Sequence, residues 1–132
     1  MPVIVEAVSA PSEQDRTDLA KIYADAPAWL IAPHADIDSL IDTCLGDGTF
    51  IAGRFNDRLL GAGRLQKYAD RWVLSHLCVR RVTRGRGVGR RLLDEARRMA
   101  FEAGKPLHLA APDGHLESQA LAARLQLPME SL

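Results

Sequence analysis

Residues 82–93 read VTRGRGVGRRLL, with glycines at 85, 87 and 89 separated by Arg86 and Val88, and with Arg84, Arg90 and Arg91 beside them. A glycine inside regular structure costs roughly 0.5–1 kcal/mol relative to alanine. Three so close together imply either a sharp turn or an anion that must approach bare backbone. The flanks decide between these. RWVLSHLCV (71–79) has the composition of a strand, whereas Val88, Leu92, Ala96, Met99 and Ala100 recur at helical spacing toward Gly104. The glycines therefore lie where a strand passes into a helix. Backbone N–H groups at a helix start lack intrahelical partners, and the helix dipole places partial positive charge there. Arg84, Arg86 and Arg90 add forked donors that suit phosphate geometry. The stretch suits a phosphate, and best a pyrophosphate.

Outward from this junction the pattern alternates between periods of two and 3.6. Residues 2–8 alternate as a first strand. Ser12 and Asp15 have capping-box spacing ahead of Leu19, Ile22, Tyr23 and Ala26, which predicts a helix ending at Pro27. A second helix is expected over 34–45, closed by Gly46 and Gly48. TFIAGRF and RLLGAGRLQ flank Asn56-Asp57, residue types that tolerate the angles of a tight hairpin turn. PLHLAA is a further strand, and Leu116, Ala120, Ala123 and Leu127 predict a last helix stopped near Pro128. The expected order is β-α-α-β-β-β-α-β-α over one domain spanning 1–132, an α/β arrangement with a mixed sheet and helices on its faces.

Composition restricts the partners. Lys plus Arg is 17 and Asp plus Glu is 17 in 132 residues, so no global field draws the chain to nucleic acid or an anionic membrane. Arg80 to Arg98 holds eight of the basic residues, but the patch lacks interleaved aromatics and is interrupted by Asp94 and Glu95. Cys44 and Cys78 have no paired spacing, and His76 and His108, even if they meet on neighbouring strands, lack a third ligand, so no metal site is expected. Without a basic start before a long apolar run, or eighteen consecutive apolar residues, a cytoplasmic protein is the default expectation.

The glycine spacing fits neither G-x-x-x-x-G-K-[ST] nor G-x-G-x-x-G. Arg84 to Gly89 does match R-x-x-G-x-G, and following LCV it resembles motif A of the GCN5-related N-acetyltransferase (GNAT) superfamily. The resemblance implies the acyl-CoA N-acyltransferase fold, with acetyl-CoA (or CoA) as cofactor. Leu77, Cys78 and Val79 would hold the pantetheine arm, and Thr83, Arg84, Gly85, Arg86, Gly87, Val88, Gly89 and Arg90 the pyrophosphate. Amine acetylation also needs a base and an acid. Between Arg71 and Val79 only Ser75 and His76 offer side chains, and LESQALAARLQL, where the superfamily usually carries a tyrosine, has none. The C-terminal end also reads as shortened, with the superfamily's closing strand pair reduced or missing. His76 is the one weak catalytic candidate.

SEQDRTDLAKIY, FIAGRFNDRLLGAGRL and LCVRRVTRGRGVGRRLLDEA are similar to a family within that superfamily, the acetyl-CoA-binding maturation factors of aspartate 1-decarboxylase. Such factors bind the decarboxylase proenzyme and promote its self-cleavage, in pantothenate synthesis. The likeness covers about residues 12–96, fades after Gly104, and leaves IAPHADIDSLIDTCLGDG longer than the family's counterpart. It implies that Arg54, Asn56 and Asp57 of the hairpin face the partner. Two readings follow: a ligand-gated activator of proenzyme cleavage, and an N-acetyltransferase that uses His76 or a water as base.

Overall fold

The computed structural model describes residues 2–132. β1 (Ile4–Ala7) leads to α1 (Glu13–Ala24), where Ser12 and Asp15 form the reciprocal cap that the sequence predicts. Residues 28–31 then make one 3₁₀ turn before α2 (Ile37–Gly46). α2 starts three residues later than the sequence implies, because the Asp36 carboxylate accepts from the Ser39 N–H and fixes the first turn there. β2 (Phe50–Phe55), β3 (Arg58–Lys67) and β4 (Trp72–Val79) form a meander, and a second 3₁₀ turn (Arg81–Thr83) precedes α3 (Val88–Glu102). β5 (Leu107–Ala111), α4 (Leu116–Leu125) and β6 (Met129–Ser131) complete the chain.

The six strands form one sheet in sequence order. The first four run antiparallel, while β4–β5 and β5–β6 pair in parallel across the helical crossovers α3 and α4. β6 corrects the predicted order, which ended at α4. At three residues it is too short to show an alternation, yet it pairs along β5 at Leu109, Ala110 and Ala111.

Each face of the sheet buries its own core. Val3, Ile51, Leu65 and Leu74 pack with Val88, Leu92, Leu93 and Ala96 of α3 and with Ala122 of α4. Phe50, Ala52, Leu59 and Ala62 pack on the other face with Leu19, Ile22 and Tyr23 of α1 and with Leu40, Ile41 and Cys44 of α2. α3 lies close against the first of these faces because Gly61 offers bare backbone. A Cβ there would stand 3.0 Å from Val88 Cγ1, 3.1 Å from Leu92 Cδ1 and 3.2 Å from the Cys78 carbonyl oxygen. The start of α3 is thereby set beside the end of β4.

Candidate functional site

The loop after β4 is held by Arg84 and Thr83 and by Asp25 at the end of α1. Arg84 donates through Nε to the Val79 carbonyl (3.2 Å) and through Nη2 to the Asp25 carbonyl (3.0 Å), and the Asp25 carboxylate accepts from the Arg81 N–H (2.8 Å). The Thr83 hydroxyl turns inward onto the Arg80 carbonyl. Arg84 and Thr83 thus fasten the loop, with their polar groups directed at protein. Val88 is buried among Gly53, Gly61 and Leu92, so only its backbone faces the loop. Arg90 pairs with Asp94 one turn along the helix, and Arg86 is exposed.

Gly85 (φ 82°) and Gly87 (φ 84°) both occupy the left-handed region, and a Cβ on either would meet no protein atom within 4 Å. Gly89 lies inside α3, and a Cβ there would touch Val79 at 3.4 Å. Arg91 is the first residue whose N–H returns to the loop, onto the Gly87 carbonyl at 2.9 Å. Among the described residues, the N–H groups of Gly85 through Arg90 ahead of it have no protein acceptor. They surround a depression of about 300 Å³ lined by Val79, Thr83, Arg84, Gly85 and the first turn of α3. A run of free backbone donors, with no side chain filling the space in front of it, fits a phosphate group.

β4 carries the second part of the site. It pairs with β5 only at Trp72, Val73 and Leu74, and beyond these the two strands separate. Against β3 its register shifts between Ala62 and Arg64, and His76 bulges with φ 56°. The bulge turns the His76 carbonyl into the core, where it accepts from the Tyr23 hydroxyl at 2.7 Å. Leu77 to Val79 continue with the side toward β5 unpaired. A cleft of about 350 Å³ fills the gap, bounded by Leu77, Leu109, Ala111 and Leu121.

Both His76 ring nitrogens are used. Nε2 lies 2.7 Å from the Ala32 carbonyl, which can only accept, so Nε2 carries the proton and Nδ1 accepts from the Ser75 hydroxyl at 2.7 Å. The residue is 3% exposed, and burial holds its pKa below the usual histidine value. It is built as a neutral, fully bonded strut. Burial likewise raises the Cys78 thiol, which donates weakly to the Ile22 carbonyl. His108 bonds Glu130 of β6, and the ring facing His76 is His34, at 5.5 Å between centroids. Among the described residues no cluster of His, Cys, Asp or Glu has the makings of a metal site, and no helix is long and apolar enough to cross a membrane.

At the hairpin, Asn56 (φ 48°) and Asp57 (φ 63°) both take the left-handed conformation of a type I′ turn and stay exposed. Arg54 does not project outward with them. Its guanidinium is bonded to both oxygens of Asp15 (3.0 and 3.1 Å), to Glu6 and to the Asp57 carbonyl. It straps the turn to α1 and β1. The sequence does not distinguish this from a donor aimed at a partner, because Asp15 stands 39 residues away and its spacing from Ser12 marks it as a cap.

The family described as Acetyltransferase (GNAT) domain, PanZ, matches residues 2–129. The chain is 40% identical over 88 residues to the PanD regulatory factor of Escherichia coli (strain K12), a stretch covering 66% of this chain and 60% of that protein. It is 38% identical over 84 residues to the PanD regulatory factor of Salmonella typhimurium, covering 64% and 58%. The match thus spans about three fifths of these curated relatives' length. Among solved structures, the PaiA N-acetyltransferase of Thermoplasma acidophilum in complex with coenzyme A superposes with a TM-score of 0.69 at 17% identity, over 95% of this chain and 89% of that one. A GNAT family acetyltransferase of Elizabethkingia anophelis with acetyl-CoA bound gives 0.67 at 17%, over 93% and 74%. These two likenesses establish a common fold.

Proposed function

Since the chain belongs to the PanZ family of acetyltransferase (GNAT) domains, we propose that it is an acetyl-CoA-binding regulator that promotes self-cleavage of the aspartate 1-decarboxylase proenzyme. The observation that carries the cofactor half is the row of free N–H groups from Gly85 to Arg90 above the depression at the start of α3. That row would take the pyrophosphate, and the unpaired edge of β4 at Leu77, Cys78 and Val79 the pantetheine. When bound, acetyl-CoA would supply a thioester in the gap between β4 and β5. What this chain's own groups do there supports sensing over transfer. His76 already donates to Ala32 and accepts from Ser75, and α4 carries no tyrosine to protonate a leaving thiolate. The partner half rests on the names of the relatives and on the rigid, exposed turn at Asn56-Asp57.

The direct test is to incubate the protein with the proenzyme of its own organism, with and without acetyl-CoA, and follow cleavage on a gel. Acetyl-CoA-dependent acceleration is the expected result, and cleavage at the proenzyme's own rate refutes the reading. Thiol release with a panel of amines, abolished by His76→Ala, would establish the second reading, an N-acetyltransferase.

The turn gives a sharper prediction. Alanine at position 56 would combine loss of the side chain with strain at positive φ, whereas glycine removes the side chain and accepts the angle. Asn56→Gly should lower the acceleration of cleavage about tenfold, the size of one interface side chain worth a little over 1 kcal/mol. Acetyl-CoA affinity should be unchanged and stability should stay within about 0.5 kcal/mol. Full acceleration by Asn56→Gly would remove this residue from the interface.

A further inference from the structure

The cleft between β4 and β5 passes through the sheet. Its lining includes Leu93, which belongs to the core under α3, and Leu30, which packs with the α1–α2 core on the opposite face. On that opposite side it meets Trp29 from the 3₁₀ turn after α1. The Trp29 ring lies against His115 with centroids 3.8 Å apart and planes 36° apart. His115 is itself fixed as the cap of α4: its Nδ1 accepts from the Ser118 N–H at 3.2 Å and bonds the Ser118 hydroxyl at 2.7 Å. The segment carrying Trp29 is fastened three residues on, where the Ala32 carbonyl accepts from His76 Nε2. The stack therefore spans two anchored elements, one from each side of the gap.

The geometry points to Trp29, backed by His115, as the wall that sets how long an acyl chain the cleft admits. This rests on the acetyl-CoA reading above. The lining also includes Leu77, Leu109, Ala111 and Leu121, whose apolar side chains suit an acyl chain, with Glu117 and Arg124 among its polar members. In an open apolar channel each added methylene would tighten binding about fourfold. A wall reverses that order, because a longer chain must displace the stack or leave its own seat on β4.

Calorimetry with acetyl-CoA, butyryl-CoA and hexanoyl-CoA tests this on the intact chain. The parent should bind acetyl-CoA best and hexanoyl-CoA at least tenfold more weakly. Trp29→Ala should invert the order, with hexanoyl-CoA at least tenfold tighter than acetyl-CoA. Hexanoyl-CoA binding as tightly as acetyl-CoA to the parent, or an unchanged order in a folded Trp29→Ala, overturns the inference and leaves the cofactor reading standing. Failure of every thioester to bind overturns both. Should Trp29→Ala not fold, His115→Ala removes the backing of the wall and should narrow the parent's preference at least threefold; no narrowing counts against the wall.

Discussion

Gly87→Val should weaken acetyl-CoA binding by at least about a hundredfold while leaving the protein folded. Position 87 sits at φ 84°, where a β-branched residue is a conformational outlier costing roughly 1–2 kcal/mol. Relief of that strain requires the loop to turn its amides away from the depression they surround. The valine side chain would also project into space that no protein atom occupies within 4 Å, which is the space a phosphate needs. Loss of two charge-assisted N–H bonds at about 1.5–3 kcal/mol each amounts to more than two factors of ten. The fold should tolerate the change, because Gly87 is exposed and the core contacts of α3 begin at Val88. Calorimetry and a thermal melt on the same sample check both halves. Affinity equal to the parent's in a folded Gly87→Val would remove the phosphate from this loop. Arg84→Ala is the milder comparison. Its guanidinium holds the Val79 and Asp25 carbonyls, so it should lower affinity by loosening the loop, with little dependence on salt.

That loop was legible in the sequence because its signal is local. Alternate glycines, a strand before them and a helical stripe after them all lie within about thirty residues of chain, so the flanks place the glycines at a strand-to-helix junction. What stayed hidden depends on contacts between distant segments. Arginine types at 54 and 84 suggested charge offered outward, yet both guanidinia bond groups 39 and 59 residues away that no short-range pattern links to them. His76 stands in the sequence as a weak base candidate because its partner is a carbonyl at Ala32, in a loop with no recognisable period. Trp29 was unreadable as a functional residue for the same reason: its meaning comes from His115, across the sheet. Gly61 belongs to this class as well. It reads as an ordinary strand glycine until α3 is in place, where a Cβ on it would stand 3.0 Å from Val88 Cγ1.

The hairpin that presents Asn56 should fail first at Asp18. This carboxylate is 1% exposed, accepts the Leu59 N–H at 3.0 Å, and receives Arg58 through Nε and Nη2 together with the Gln14 amide at 2.9 Å. With Asp15 holding Arg54, the two strands leading into and out of the turn are each tied to α1 by an Arg–Asp clamp. Arg58 is 44% exposed on its side chain and can return to water when released, so its share is small. The buried Leu59 N–H has no such recourse, and orphaning it costs about 1–3 kcal/mol. Asp18→Ala should therefore lose about 2–4 kcal/mol, a drop of roughly 10 °C in melting temperature for a domain of this size. Asp18→Asn, which keeps an acceptor for Leu59, should lose less. The acid response separates charge from packing. Burial raises the Asp18 pKa, but the bonds from Arg58, Leu59 and Gln14 outweigh it and leave the folded value below the usual carboxylate range; Arg54 does the same for Asp15. A folded pKa below the unfolded one, about 3.9, means that the stabilisation is complete above that value and disappears as the pH falls through the folded one. The stability gap between the parent and Asp18→Asn, measured by urea unfolding, should be full at pH 7 and close below about pH 4. A gap that persists undiminished in acid would show that Asp18 works by shape alone. Equal stability of Asp18→Ala and the parent at pH 7 would mean that the hairpin does not depend on the clamp.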